Sequence, residues 1–334
     1  MPVREDKPTW SQVPPSVRAE AERRLGSRVV RATRAYGGYA ASATFRLVLA
    51  NGRRAFFKAG YPPPPGSAAI FPIAQETRRY AALAPLVGRW MPKQLGAFRR
   101  DRWDVLLMED LGAPTIPPWS ADKARRASRS YARFHAHTLG APLPRGLSRT
   151  QHRRFGMFWG NAGKTWQLSN AATVAGRRAD EAEEWLSVVL PTLRAAERDL
   201  VRAKPPFVAL HFDTRSDNFR LVGDRLVMFD WPWASAGPAE FDLAAFAQGV
   251  NAEHGPDPER IVGWYQQVLR LRERELTGSI AGIAGYFTFA AWRPPLPGLP
   301  RLRSIQRKQL RASIAWAARH FDLPEPRWLA TVPD

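Results

Sequence analysis

Apolar positions change period along this chain. Residues 29–36, 43–49 and 54–59 alternate with a period near two, and they read as a three-stranded meander turned at Gly37-Gly38 and at Asn51-Gly52. Asn51-Gly52 is the signature of a type I′ hairpin. Residues 103–108 give one more apolar strand. Helical spacing appears at 16–25, entered through Pro14-Pro15 and stopped at Gly26, and at 73–87. Beyond 113 the helical period dominates, at 121–139, 180–202, 241–249, 258–276 and 302–321. Only two short β-rich runs, 219–222 and 225–229 around Gly223-Asp224, interrupt it. The pattern predicts an α+β fold, with a small β-rich N-terminal part and a larger, mainly helical C-terminal part.

With 334 residues the chain exceeds the usual size of a single core, so two lobes are expected. The composition shift at the Pro-containing connector 113–119 sets their bounds at 1–112 and 113–334. The formal charge is +20, which ordinarily points to a polyanion. Here the positive residues are scattered arginines without a basic block or interleaved aromatics, so no specific nucleic-acid partner is expected. Cysteine is absent, which excludes disulfides, thiolate metal sites and thiol nucleophiles and fits a cytoplasmic enzyme. The start, MPVREDKPTW, has no apolar signal core, and the apolar stretch 280–292 is too short and too interrupted by glycine to span a bilayer; no membrane association is expected. The sequence leaves the oligomeric state open.

The chemistry concentrates between His211 and Leu243. The order His211-x-Asp213-x-Arg215-x-x-Asn218 matches the H-x-D-x-x-x-x-N loop of kinases. A hairpin at 219–229 brings its flanks together, so Asn218 before it and Asp230 after it are expected roughly 5 Å apart at the backbone. A hard cation such as Mg²⁺ needs only one or two protein oxygens beside water and phosphate, and this pair supplies them. Asp213 is placed to accept a proton from an acceptor hydroxyl, and Arg215 to offset charge on a transferring phosphoryl group.

Upstream, Lys58 on the third strand offers a compact positive charge for phosphate oxygens. Glu76, in the first turn of the next helix, either pairs with it or stands exposed. The Gly37-Gly38 turn either cradles phosphates or is only a turn. In the MEDLG connector, Glu109 and Leu111 either present unpaired backbone groups to a purine edge or simply end a strand.

Lys58, Glu76, MEDL, His211-x-Asp213-x-x-x-x-Asn218, Asp230-Trp231 and Gly237-Pro238-x-x-x-Asp242-Leu243-Ala244 together resemble the aminoglycoside phosphotransferase and choline kinase-like family, of protein-kinase-like fold. The resemblance covers about residues 29–244 and implies Asp213 as base, Asn218 and Asp230 as Mg²⁺ ligands, Lys58 as phosphate-binding lysine with Glu76 as its partner, and His211 and Asp242 as supports. It also implies ATP or GTP and a small hydroxylated acceptor as the molecules bound. The chain departs from the family in having Phe212 where glycine is common, and Arg215-Ser216 where histidine or proline is frequent. The acceptor is not fixed by the resemblance.

A kinase for a metabolite or a protein side chain, a nucleotide-binding pseudokinase and a basic interaction module are the competing readings. Base, amide and metal carboxylate are all present, which weighs against the pseudokinase. The acidic run at 180–184 either complements the dipole of its helix or lines an amine-binding edge; the first is preferred, and with it a neutral or anionic acceptor.

Overall fold

A computed structural model describes residues 7–36, 42–62 and 73–334, so Gly37 and Gly38 lie outside the described residues. The chain divides into two compact units. One comprises Met1–Pro114, Val227–Pro232 and Pro295–Leu302; the other comprises Thr115–Leu226, Trp233–Pro294 and Arg303–Asp334.

In the first unit, helix α1 (Pro15–Leu25) precedes strands β1 (Val29–Arg34), β2 (Ala43–Leu49) and β3 (Arg54–Gly60). Helix α2 (Ile73–Val87) is followed by β4 (Gln94–Arg100) and β5 (Trp103–Glu109). The strands form one antiparallel sheet in the order β1-β2-β3-β5-β4. Phe45, Leu47, Ala55, Phe57 and Leu107 are all 0 % exposed and share one face with Val17 and Ala21 of α1. Each fully buried Phe or Leu contributes about 1.5–3 kcal/mol. Period-two alternation puts Lys58, between Phe57 and Ala59, on the opposite face, where α2 packs against β3 and β5.

Two expectations change here. Strand β4 was not anticipated: its sequence QLGAFRR alternates weakly because it is an edge strand with most of its residues part-exposed. At Asn51-Gly52 only Gly52 takes a left-handed φ, +81°, whereas a type I′ turn needs two. The Asn51 side chain instead accepts from the Arg53 N–H at 3.1 Å, which closes a longer loop.

The second unit is mainly helical: α3 (Ala121–Thr138), α4 (Leu168–Ala172), α5 (Ala179–Arg202), α6 (Ala239–Ala252), α7 (Pro258–Gln266), α8 (Glu273–Ala291) and α9 (Leu302–His320). Four short strands follow α5: β6 (Val208–Leu210), β7 (Phe219–Val222), β8 (Arg225–Met228) and β9 (Ser235–Gly237). Strand β6 pairs with β9, and β7 with β8 as the predicted hairpin. The helix expected over 258–276 is two helices. Buried Glu240 accepts from the Arg272 N–H at 2.8 Å and ion-pairs with its guanidinium at 3.2 Å, which holds a turn where a continuous helix would run.

His152 is fully buried against Phe207, and burial pushes its pKa down to about 4. It packs against Gly237, where an added Cβ would meet the imidazole Nδ1 at 2.8 Å and Leu210 at 2.6 Å, so this position requires glycine for space. No helix among the described residues is long and apolar enough to cross a membrane.

Candidate active site

In the first unit the Lys58 ammonium lies 2.7 Å from Glu76 and 2.9 Å from Asp230. The residues come from β3, the first turn of α2 and the segment just after β8, so topology rather than sequence proximity assembles them. Lys58 and Glu76 are 8 % and 1 % exposed, which settles the open alternative for Glu76 in favour of pairing. Burial would lower the Lys58 pKa, but the carboxylates of Asp230 and Glu76 outweigh it and hold the value above the ordinary one. Burial, reinforced by the Asp230 charge, pushes Glu76 above the usual carboxylate range against the pull of Lys58. Asp230 itself takes a left-handed φ of +69°.

The second unit holds the predicted loop after β6. Asp242, fully buried in the first turn of α6, accepts the N–H of His211 at 2.6 Å, the N–H of Phe212 at 3.1 Å and the hydroxyl of Tyr131 at 2.6 Å. Turning two successive N–H groups toward one carboxylate needs an unusual backbone, and Phe212 has φ +75°. A left-handed conformation costs a non-glycine residue about 1–2 kcal/mol. The position is the one where the resembled family commonly has glycine; here phenylalanine occupies it.

Beyond this bend, Arg215 binds Asp213 through two parallel hydrogen bonds, Nε to Oδ1 at 2.8 Å and Nη2 to Oδ2 at 3.0 Å. Asn218 closes the loop: its Nδ2 donates to the Asp213 carbonyl at 3.0 Å, which fixes the amide. Both groups assigned to a metal, the Asn218 amide and the Asp230 carboxylate, are hard oxygen donors of the kind Mg²⁺ takes. Among the described residues no cluster of three or more His, Asp or Glu forms a self-sufficient metal cage.

Sequence reasoning missed several supports. Glu253 accepts from Ser216 Oγ at 2.5 Å and from Trp119 Nε1 at 2.7 Å, so it fixes the short helical turn that ends at Asn218. The Thr115 hydroxyl accepts from the Leu221 N–H at 2.8 Å. No local motif marks either, because each partner lies far away in sequence. In the connector after β5, the Glu109 N–H donates to the Lys93 carbonyl at 2.9 Å because β5 runs through this residue, which favours the strand-end alternative for that group. Leu111 follows, part-exposed, and Gly112 beyond it receives Arg46 on its carbonyl and donates to Asp110 at 3.0 Å. In the acidic run, Asp180, Glu183 and Glu184 are exposed, and Glu181 pairs with Arg178 at 2.7 Å.

No protein-family model and no curated protein matches the sequence. Solved structures do. An aminoglycoside phosphotransferase from Alicyclobacillus acidocaldarius superposes with a TM-score of 0.60 at 12 % identity, over 87 % of this chain and 91 % of that one. A spectinomycin phosphotransferase solved with ADP and spectinomycin gives 0.57 at 12 % identity, over 99 % and 98 %. A choline kinase from Streptococcus pneumoniae gives 0.52 at 13 % identity, over 90 % and 98 %. At such identities the similarity is one of fold, and the five-stranded antiparallel sheet followed by a helical unit agrees with it. The chain has the α+β, two-lobed protein-kinase-like fold that resembles these phosphotransferases and kinases.

Proposed function

We propose that the protein transfers the γ-phosphoryl group of ATP or GTP to a hydroxyl group of a small molecule. The observation that carries this is the Lys58–Glu76–Asp230 cluster, a buried lysine held rigid by one buried carboxylate beside a second, half-buried carboxylate suited to a metal. A buried ammonium with a fixed partner is pre-organised to meet phosphate oxygens. Support comes also from the loop in which Asp213 and Asn218 are tied together, and from a fold shared with known small-molecule phosphotransferases.

In this reading residues 1–112 bind the nucleotide and 113–334 hold the catalytic loop and the acceptor. The acceptor oxygen forms a bond to the γ-phosphorus as the bond from that phosphorus to the bridging oxygen breaks. The nucleoside diphosphate leaves with the electron pair, and the hydroxyl proton passes to the Asp213 carboxylate. Arg215, released from Asp213, turns its guanidinium to the transferring group. Asn218 and Asp230 are the residues for Mg²⁺, which when bound neutralises phosphate charge. Lys58 contacts the phosphates, and Gly37, Gly38, Glu109 and Leu111 are assigned to the nucleotide. Dependence on ATP or GTP and a chain without cysteine suit a cytoplasmic enzyme.

The test is thermal stabilisation by Mg·ATP. The parent should gain several degrees at saturating nucleotide, and Asp230→Ala should lose the part that requires Mg²⁺. Equal stabilisation of both proteins by Mg·ATP would sink the metal assignment.

A further inference from the structure

Beside Asp213 the second unit carries a group of aromatic rings that the chemistry above does not use. Phe212 packs on Phe241 with centroids 4.8 Å apart, and Phe155 touches both, at 5.4 Å and 5.0 Å. Phe155 also meets Tyr286 at 4.9 Å, and Phe158 meets Tyr286 at 5.5 Å and Phe289 at 5.2 Å. Phe241, at the base, is 1 % exposed, whereas Phe155, Phe158, Phe212, Tyr286 and Phe289 are all only half-buried. Core aromatics are ordinarily closed off, and a contiguous open group of rings marks a surface that meets a ligand.

Three observations tie these rings to the reacting end of the loop. Phe212 is the residue immediately before Asp213. The Tyr286 phenol, whose pKa is raised chiefly by burial, also registers the charges of Asp213 and Arg215. The left-handed bend at Phe212 would be free of cost with glycine, yet a ring is kept there, in contact with Phe241 and Phe155. A residue retained in a disfavoured conformation beside a reactive group marks function.

Charge narrows the class of ligand. The cations near the rings are Arg215, Arg293 and Arg303: the Arg293 guanidinium lies over the Phe289 ring at 4.1 Å, and Arg303 adds its charge near Tyr286. Asp213, the carboxylate next to Phe212, is already bound by Arg215. Asp217, the other carboxylate at this place, lies 3.7 Å from the same Arg215 guanidinium, so a polycationic acceptor meets arginines on this wall and carboxylates that already face one of them.

We propose that Phe155, Phe158, Phe212 and Tyr286 form the wall against which the acceptor lies, and that the acceptor is a neutral hydroxylated molecule carrying a flat apolar ring. The proposal rests on the phosphotransferase function and specifies its substrate class. Stacking holds the ring while a hydroxyl elsewhere on the molecule reaches Asp213.

Two matched pairs of probes test it, with Mg·ADP saturating the nucleotide site: phenyl β-glucoside against methyl β-glucoside, and uridine against methyl β-riboside. Binding is read by calorimetry. In at least one pair the flat-ring member should bind at least about fivefold tighter, a gain that one or two aromatic contacts supply. Phe212→Gly and Phe155→Ala should each erase that preference. Because Phe212→Gly also relieves the left-handed backbone, its Tm should not fall by the amount a core phenylalanine deletion would give, which separates a binding role from a packing role. A preference below fivefold in both pairs, or one that survives in both variants, overturns the proposal. Failure of the underlying function reads differently: Mg·ADP then gives no thermal stabilisation of the parent.

Discussion

The charged groups of the two units are built on opposite plans. In the first, Lys58, Glu76 and Asp230 are brought together from three elements, and Lys58 and Glu76 are locked by burial; the ammonium is preset before any ligand arrives. In the second, Asp213 and Arg215 sit two residues apart on one loop, half-buried and engaged with each other. The contrast teaches where rigidity is needed. Binding a phosphate chain asks for a fixed cation, whereas proton transfer asks for a carboxylate that can be given up by its partner at the right moment.

The sharpest way to break this contrast is Asp213→Asn. It should lower kcat by about 10²–10⁴ while leaving nucleotide affinity within about twofold, because a base acts on the acceptor. Parallel loss of affinity and turnover would show Asp213 to be a structural residue. Lys58→Met attacks the other side. Leaving the buried Glu76 carboxylate without its cation, beside the half-buried Asp230, should cost about 3–5 kcal/mol of stability in denaturant titration and abolish nucleotide binding as well. A loss under 1 kcal/mol would mean that the cluster is not preset.

Glu197 sharpens the comparison by a different route. It is 1 % exposed on α5 and accepts the N–H groups of Trp159 at 3.0 Å and Gly160 at 2.5 Å, which anchors the segment carrying Phe155 and Phe158. Burial pushes its pKa up to about 7 against those hydrogen bonds. The folded state therefore keeps this proton after the unfolded chain has lost it, and stability falls as pH rises from about 4.5 toward 7, by about 3 kcal/mol at most. Glu197→Gln should remove that slope relative to the parent in urea midpoints at pH 5 and 7.5; identical slopes would rule the titration out. His152 runs the other way: its pKa is depressed by burial, so its contribution is lost as pH falls from 6.5 toward 4.

The smallest effect is expected from reversing Glu181 and Glu184 to lysine. Three of the four acids in that run are exposed and the fourth is paired with Arg178, so acceptor KM should change less than twofold. A large increase for a cationic acceptor alone would return the run to the binding site.

How much of this was legible in the sequence follows the same division. The loop motif and the hairpin after it are local, so His211, Asp213, Asn218 and the strands at 219–222 and 225–228 could be read directly. The Lys58–Glu76 contact could only be offered as an alternative, because a strand and a helix facing each other is a property of the sheet and not of spacing. Glu253, Glu197 and the buried His152 were invisible, since their partners lie 30 to 140 residues away in the chain and nothing in a short window marks them. The aromatic wall was equally hidden. Its rings come from three separate stretches, 155–158, 212 and 286–289, and read singly as ordinary helix and loop residues.

The first unit is not continuous in the chain, and this bears on how the protein is made. Residues 227–232, which bring Asp230 to Lys58, leave the ribosome well after residue 114, on the order of ten seconds later at common elongation rates. Until then the nascent sheet can hold Lys58 against Glu76 alone. The N-terminal unit is therefore completed only once most of the helical unit has been synthesised, and a chain truncated at residue 114 would carry its lysine without the carboxylate that arrives last.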